Sequence, residues 1–146
     1  MSGNVLLIEQ FRAPVFARGD NCPWGIEVIA GRIDKGLDAE AAARAEAEEE
    51  GGVTLGRMEQ IAAYYPTPGI ASEHITSFVA EAHLAQTGGL HGLVEEAEDI
   101  RAFTVTLEEA LAGVSSGEIN NAPAILSLQW LQLHAQRLQE AWRGAA

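Results

Sequence analysis

The chain has 146 residues, 47% of them hydrophobic, enough for one compact domain with a buried core and too few for two. Its formal net charge of −12, from 21 acidic against 9 basic residues, excludes a surface built to hold nucleic-acid backbone, which needs clustered Lys and Arg. A single cysteine, Cys22, excludes an internal disulfide. No run reaches the roughly 18 apolar residues of a membrane span, and Met1-Ser2-Gly3-Asn4 lacks the basic and apolar regions of a signal peptide.

These features lead to the expectation of one cytoplasmic domain over residues 1–146, with no nucleic-acid or membrane partner. A free nucleotide stays compatible with the acidic charge, because a bound divalent cation can supply positive charge locally.

In chain order, the Val-, Leu- and Ile-rich segment Asn4 to Phe11 predicts a buried strand. A loop is expected through Pro14, Gly19 and Asp20, then a second strand from Trp24 to Ala30. Gly31 and Gly36 bracket a short loop, after which Asp38 is placed to cap a helix through Glu50 that Gly51-Gly52 ends. Strands follow at Met58 to Tyr65 and Ile75 to His83, joined by the turn Pro66-Thr67-Pro68-Gly69. A long loop from Leu84 to Asp99 precedes a strand from Ile100 to Thr106 and a short helix from Leu107 to Val114 that stops near Gly117. The last helix runs from about Ala122 to Trp142, with Pro123 in its first turn and an apolar face of Ile125, Leu126, Leu128, Trp130 and Leu133. Strands and helices mix without strict alternation, so the fold class expected is α/β (α+β) in layers rather than a doubly wound parallel sheet.

The helix ending at Glu50 carries the chemistry. Positions three and four apart share a helix face, so Glu46, Glu49 and Glu50 are expected to present carboxylates to one point. Like charges at that spacing destabilise a helix by roughly 0.2 to 0.5 kcal/mol per pair, and the one nearby cation, Arg44, projects elsewhere. A divalent ion resolves the conflict, and oxygen ligands suit Mg²⁺ or Mn²⁺. An Ala- and Glu-rich helix taken alone is equally a solvated surface, so the preceding loop matters. The run Glu27 to Gly36 joins a strand to the helix through a glycine-bounded loop able to bring backbone carbonyls to the same ion.

Gly31 through Val53 resembles the Nudix box, a glycine loop followed by a helix ending in Arg-Glu-x-x-Glu-Glu-x-Gly, with Gly31, Glu46, Glu49, Glu50 and Gly52 at matching spacing. Two positions depart from it: Leu37 stands where the box has Glu, and Ala45 where it has Arg. In the family that arginine orients a glutamate of the metal cluster, so its loss is expected to slow turnover without abolishing metal binding. Arg44 is one residue away, which turns a helical side chain by about 100°. The resemblance extends along the chain and is to the ADP-ribose pyrophosphatase branch. It is carried by Ile8 to Arg12, Glu27 to Gly31, Pro66 to Glu73, His91 to Ile100, and Asn120-Asn121-Ala122 leading into Leu128 to His134.

This resemblance implies a Nudix-type α/β/α sandwich with a mixed central sheet. It also implies Mg²⁺-dependent (or Mn²⁺-dependent) hydrolysis of the pyrophosphate of ADP-ribose or a related nucleoside diphosphate sugar. By position, Glu46 and Glu50 are the principal metal ligands, with Glu49 assisting and the backbone oxygen of Ala30 and Glu98 completing the shell. Glu96 is the implied general base for the attacking water, and Glu50 belongs with it to the catalytic set. Arg12, Glu27 and Glu73 are the substrate-side residues, Arg12 facing the diphosphate and Glu73 lying near the metal site. Those roles give a reason for the acidic run Glu95, Glu96, Glu98 and Asp99, otherwise a solvated loop.

The branch also carries an N-terminal sheet used in forming a homodimer and gripping the nucleoside. This chain starts almost at the first catalytic-domain strand, so those two properties are the ones put in question. A nucleotide-binding sensor with little turnover stands as the alternative to an enzyme, and GDP-mannose as the alternative substrate. His74, His83, His91 and His134 lack metal-ligand spacing and are expected as loop or surface residues. Trp24 and Trp130 are expected in the core or in a pocket wall.

Overall fold

Adjacent residues of a strand point to opposite faces of its sheet, so two neighbours that are both inaccessible mean a sheet covered on both sides. Leu7 and Ile8 are each 1% exposed, and they sit in the middle of strand β1 (Asn4–Phe11). In this computed structural model, which describes residues 3–34, 36–84, 88–91 and 99–143, β1 is the strand around which the layers are built.

Strands β2 (Trp24–Glu27), β1, β6 (Ile100–Thr106) and β5 (Gly89–His91) form a sheet in the order β2-β1-β6-β5, and β3 (Leu55–Tyr64) pairs with β4 (Ile75–Ala82) in a second sheet. Helix α1 (Ala13–Arg18) links β1 to β2, α2 (Ala39–Gly51) precedes β3, and α3 (Leu107–Ser116) and α4 (Ala122–Arg143) end the described chain. On one face of the larger sheet, Leu7 packs with Leu107 and Ala110 of α3, with Ile119, and with Ala124, Leu128 and Ala135 of α4. On the other, Ile8, Ile100, Ala102, Leu6 and Ile29 form a smaller core. Helix α2 lies over that face. A Cβ at its Gly51 would come within 2.7 Å of Ile29 Cδ1 and 3.0 Å of Leu6 Cδ2, so only glycine lets the helix approach so closely.

The layered α/β class is therefore borne out, with helices on both faces of the sheet. The pairings β1–β2, β1–β6, β5–β6 and β3–β4 are all antiparallel, so parallel pairing of the kind a mixed sheet requires is not found among the described residues. The β3–β4 hairpin is tied to α4 by the Glu59–Arg137 ion pair and by Arg57, which donates to the Trp142 carbonyl. No helix among the described residues is long and apolar enough to cross a membrane.

Several expected boundaries move. The segment expected as a loop around Pro14 contains α1, whose first turn accommodates the proline and whose end is closed by Gly19 at φ 89°, with its N–H on Phe16 O. Strand β2 stops at Glu27 instead of Ala30, because the chain turns away and the Ala30 N–H is given to a side chain of α2. The long loop after Leu84 includes β5, which makes His91 a strand residue instead of a loop or surface one.

Candidate functional site

Helix α2 starts where Asp38 Oδ1 accepts the Ala41 N–H at 2.8 Å and ends where Gly52 takes the left-handed conformation at φ 63°. Between these caps its alanines favour the helix and allow close packing, and Ala42, Ala47, Glu50 and Gly51 form the buried face. Glu50 is only 4% exposed. A buried carboxylate at the negative end of a helix is doubly disfavoured and needs a donor. The Ala30 N–H supplies one, 3.1 Å from Glu50 Oε2.

One turn earlier, Glu46 reaches the same corner. A Cβ built on Gly31 would lie 1.6 Å from Glu46 Oε1 and 1.8 Å from its Cδ, so the Glu46 carboxyl occupies the space that any other residue at position 31 would fill. Ala30, Gly31, Glu46 and Glu50 thus converge, and the absence of a side chain at Gly31 makes room for the Glu46 carboxyl. Glu49 is exposed. From Glu46 a step of four residues turns the helix by about 40° and a step of three by about 60° the other way, which leaves Glu49 and Glu50 about 100° apart. Among the described residues no group of three or more His, Cys, Asp or Glu side chains is arranged to hold a metal. The corner offers two carboxylates and backbone oxygen, a hard donor set that fits Mg²⁺ or Mn²⁺ once further oxygen ligands join it.

Beyond the end of β1, Arg12 forms a two-pronged pair with Glu27 of β2, Nε to Oε1 at 2.8 Å and Nη2 to Oε2 at 2.7 Å. Such a fork fixes the guanidinium plane. The Arg12 backbone is held as well, its N–H donating to Pro23 O at 2.9 Å. A Cβ at Gly25 would stand 2.8 Å from Glu27 Oε1, so the glycine makes room for that carboxylate. Ile8 is the register partner of Glu27 and belongs to the core beneath α2, which puts Glu27 on the face of the sheet that carries the glutamate helix. Strand β2 is anchored from the opposite layer by Asn121, whose Nδ2 donates to Ile26 O at 2.7 Å while its Oδ1 caps α4 through the Ala124 N–H at 3.1 Å.

Of the residues expected in the site, the structure brings Ala30, Glu46 and Glu50 together and joins Arg12 to Glu27. Glu73 is exposed in the segment that follows the turn between β3 and β4, beside an open cleft of about 510 Å³ lined by Tyr65, Pro68, Gly69, Ile70, Ala71 and Ser72. None of the described contacts ties it to the Ala30 corner. Glu96 and Glu98 lie outside the described residues, as does Glu95, while Asp99 is exposed.

Arg44 does not serve the glutamate cluster. It bonds Glu40 Oε1 through Nε at 3.2 Å and Nη2 at 2.8 Å, and the carbonyls of Leu55 and Gly56 through Nη1 at 3.0 and 3.1 Å. Two further residues, His91 and Asn121, pack against the elements that carry the site. Asn121 carried a local signal, an Asn ahead of a proline-containing helix start, whereas nothing near His91 in the chain announces its contact with α2.

The NUDIX domain family model matches residues 1–138 of this chain. The ADP-ribose pyrophosphatase of Escherichia coli (strain K12) is 40% identical over 138 residues, covering 94% of this chain and 66% of the relative. That of Haemophilus influenzae (strain ATCC 51907 / DSM 11121 / KW20 / Rd) is 38% identical over 142 residues, covering 96% and 65%. The GDP-mannose pyrophosphatase of Enterobacter sp. (strain 638) is 35% identical over 130 residues, covering 89% and 67%. The chain thus spans just under two thirds of the length of the two ADP-ribose pyrophosphatases.

Proposed function

The chain belongs to the NUDIX domain family, and from that premise we propose that it is a divalent-cation-dependent pyrophosphohydrolase of nucleoside diphosphate sugars, with ADP-ribose as the leading substrate. The observation that carries this reading is the meeting of Glu46 and Glu50 at the Ala30–Gly31 corner, the only arrangement described that gives a reason for both the buried carboxylate and the glycine. The relatives' names support the substrate class, since ADP-ribose and GDP-mannose are both nucleoside diphosphate sugars. A cytoplasmic location completes the reading.

Glu46, Glu50 and the Ala30 carbonyl would hold Mg²⁺ (or Mn²⁺), with Glu49 and Glu98 as further ligands. When bound, the ion supplies charge neutralisation on the diphosphate oxygens. The remaining work falls to the chain. Arg12, its guanidinium plane set by Glu27, faces the diphosphate as an oriented hydrogen-bond donor. Glu96 takes a proton from the attacking water as the water oxygen bonds to one phosphorus. The bond from that phosphorus to the bridging oxygen breaks, and ADP-ribose leaves as AMP and ribose 5-phosphate.

The test is incubation with ADP-ribose and Mg²⁺ and chromatographic separation of the products, repeated with Glu50→Gln and Glu96→Gln. AMP and ribose 5-phosphate are expected, with each variant losing about 100-fold or more in kcat. Unchanged rates in both variants would sink the mechanism. One observation favours a second reading, a nucleotide-binding domain with little turnover: Ala45 replaces the family's arginine, and Arg44 is committed to Glu40 and to two carbonyls at the start of β3. Ala45→Arg separates the two. A rise in kcat supports an enzyme slowed at this position, whereas tight ADP-ribose binding with no hydrolysis in either protein supports the sensor.

A further inference from the structure

Across the larger sheet, Gly25 pairs with Gln10, Gln10 with Ile100, and Ile100 with His91. Register partners share a face, so these four residues form one row under α2, the face on which Ile8, Ile100 and Ala102 are buried. His91 is the member of this row that reaches the end of the helix. A Cβ at Gly52 would lie 2.7 Å from His91 Cε1 and 3.5 Å from both ring nitrogens, which means the imidazole packs directly on the Gly52 backbone.

Gly52 closes the last turn of α2. Its own N–H donates to Glu48 O at 3.2 Å, and the next one, from Val53, returns to Ala47 O at 3.1 Å. Glu50 lies inside that turn, buried, with Oε2 accepting from Ala30 N–H. The ring is therefore one short, continuous path away from the carboxylate: His91 on Gly52, Gly52 in the capping turn, Glu50 within the turn, Ala30 at its tip. Nor does hydrogen bonding hold the imidazole at its inner end, because Nε2 is buried without a hydrogen-bond partner among the described residues. What the contact uses is the shape of the ring. The strand beneath is well placed to hold it, since His91 lies opposite Ile100, which is 0% exposed.

We propose that His91 is a positioning residue whose ring, packed on Gly52, holds the last turn of α2 so that the Glu50 carboxylate stays on the Ala30 amide. The inference deepens the pyrophosphohydrolase reading and rests on it only for its kinetic consequence. A flat ring of similar size should do the same work, whereas truncation lets the turn shift and loosens Glu50.

The experiment compares His91→Ala, His91→Phe and, as a milder truncation, His91→Asn with the unaltered chain by amide hydrogen exchange without added metal. Steady-state kinetics with ADP-ribose and Mg²⁺ follow. In His91→Ala and His91→Asn the Ala30 and Gly52 amides should exchange about tenfold faster, while Ala124, capped by Asn121 in the opposite layer, is unchanged. His91→Phe should restore slow exchange. Kinetically, truncation should lower kcat with KM within about twofold, and Phe should recover most of it.

Unchanged Ala30 exchange on truncation overturns the proposal, as does equal acceleration of Ala30, Gly52 and Ala124, which marks general loosening. A Phe variant as impaired as Ala also overturns it, by showing that the imidazole's chemistry is what matters. Should the unaltered chain hydrolyse no nucleoside diphosphate sugar while the exchange pattern holds, the enzymatic reading fails and the positioning of Glu50 by His91 stands.

Discussion

Gly31→Ala is the most direct probe of the corner where the two glutamates meet. The added Cβ would stand 1.6 Å from Glu46 Oε1, 1.8 Å from Cδ and 2.5 Å from Cγ. Non-bonded carbon and oxygen atoms settle at about 3.5 Å, so the carboxyl group must retreat by roughly 2 Å. The fold absorbs this easily. The obstructed atoms are the far end of a flexible side chain, Gly31 is exposed, and its φ is not among the positive ones, so alanine introduces no backbone strain. Stability should move by no more than about 0.5 to 1 kcal/mol, and a gain is reasonable because alanine restricts the unfolded chain. The site has no such tolerance, since a misplacement of about 1 Å at a reacting centre costs on the order of 100-fold. Initial rates with ADP-ribose at saturating Mg²⁺ should therefore fall by about 100-fold or more, alongside a Tm that moves by no more than about 4 °C by scanning calorimetry and a weakened Mn²⁺ affinity by titration. A kcat within about threefold of the unaltered chain would refute the placement of Glu46 in the site. A Tm that collapses with activity would refute the separation of site from fold.

Asn121→Ala removes both the cap of α4 and the tie to Ile26 O of β2, and should cost about 1 to 2 kcal/mol in urea unfolding; a loss below about 0.5 kcal/mol would mean that water replaces both bonds. Acid should destabilise the chain through three carboxylates held below the ordinary value of 4.5: Glu109 by the Thr106 N–H and hydroxyl, Glu59 by Arg137, and Glu81 by Arg57. With folded values below unfolded ones, their contribution is fully present above about pH 4.5 and is lost as pH falls through the folded values. Thr106→Ala, which deletes the hydroxyl from that capping box, should make the urea midpoint less sensitive to pH in this acid range. An identical acid profile for the variant would show that Glu109 keeps its bond to the backbone alone.

The strands and helices that the sequence makes legible are those whose signals are local. An apolar run marks β1, periodic apolar residues mark α4, and end signals at Asp38, Gly52 and Gly117 mark α2 and α3. In the site, the four-residue spacing of Glu46 and Glu50 is legible for the same reason. Glu49 shares that stripe, and which side of it meets the loop is set by packing between layers. The end of β2 at Glu27 depends on Ala30 turning its amide to Glu50, twenty residues away in the chain. The role of His91 depends on the β5–β6 pairing that brings it beneath Gly52. Contacts of that kind are set by how strands pair and layers stack, and no window of sequence contains both partners.

The end of α2 shows why these acids are better explained by a ligand than by solvation. Its last turn has no basic residue, and acids accumulate there beside the negative end of the helix, where each costs on the order of 0.3 to 1 kcal/mol. A helix shaped only for solubility would leave all of them in water. Here Glu50 is carried into the protein, and Glu46 lays its carboxyl in the space that a side chain at position 31 would fill. A helix seeking a permanent internal ion pair had Arg44 close by, yet that arginine bridges Glu40 and the carbonyls that begin β3, on a different side of the helix. Arg44 therefore fixes where α2 meets β3 and leaves the glutamate corner to other groups. Carboxylate oxygens gathered at one loop suit a countercharge that can be exchanged, as a cation arriving with a diphosphate can be.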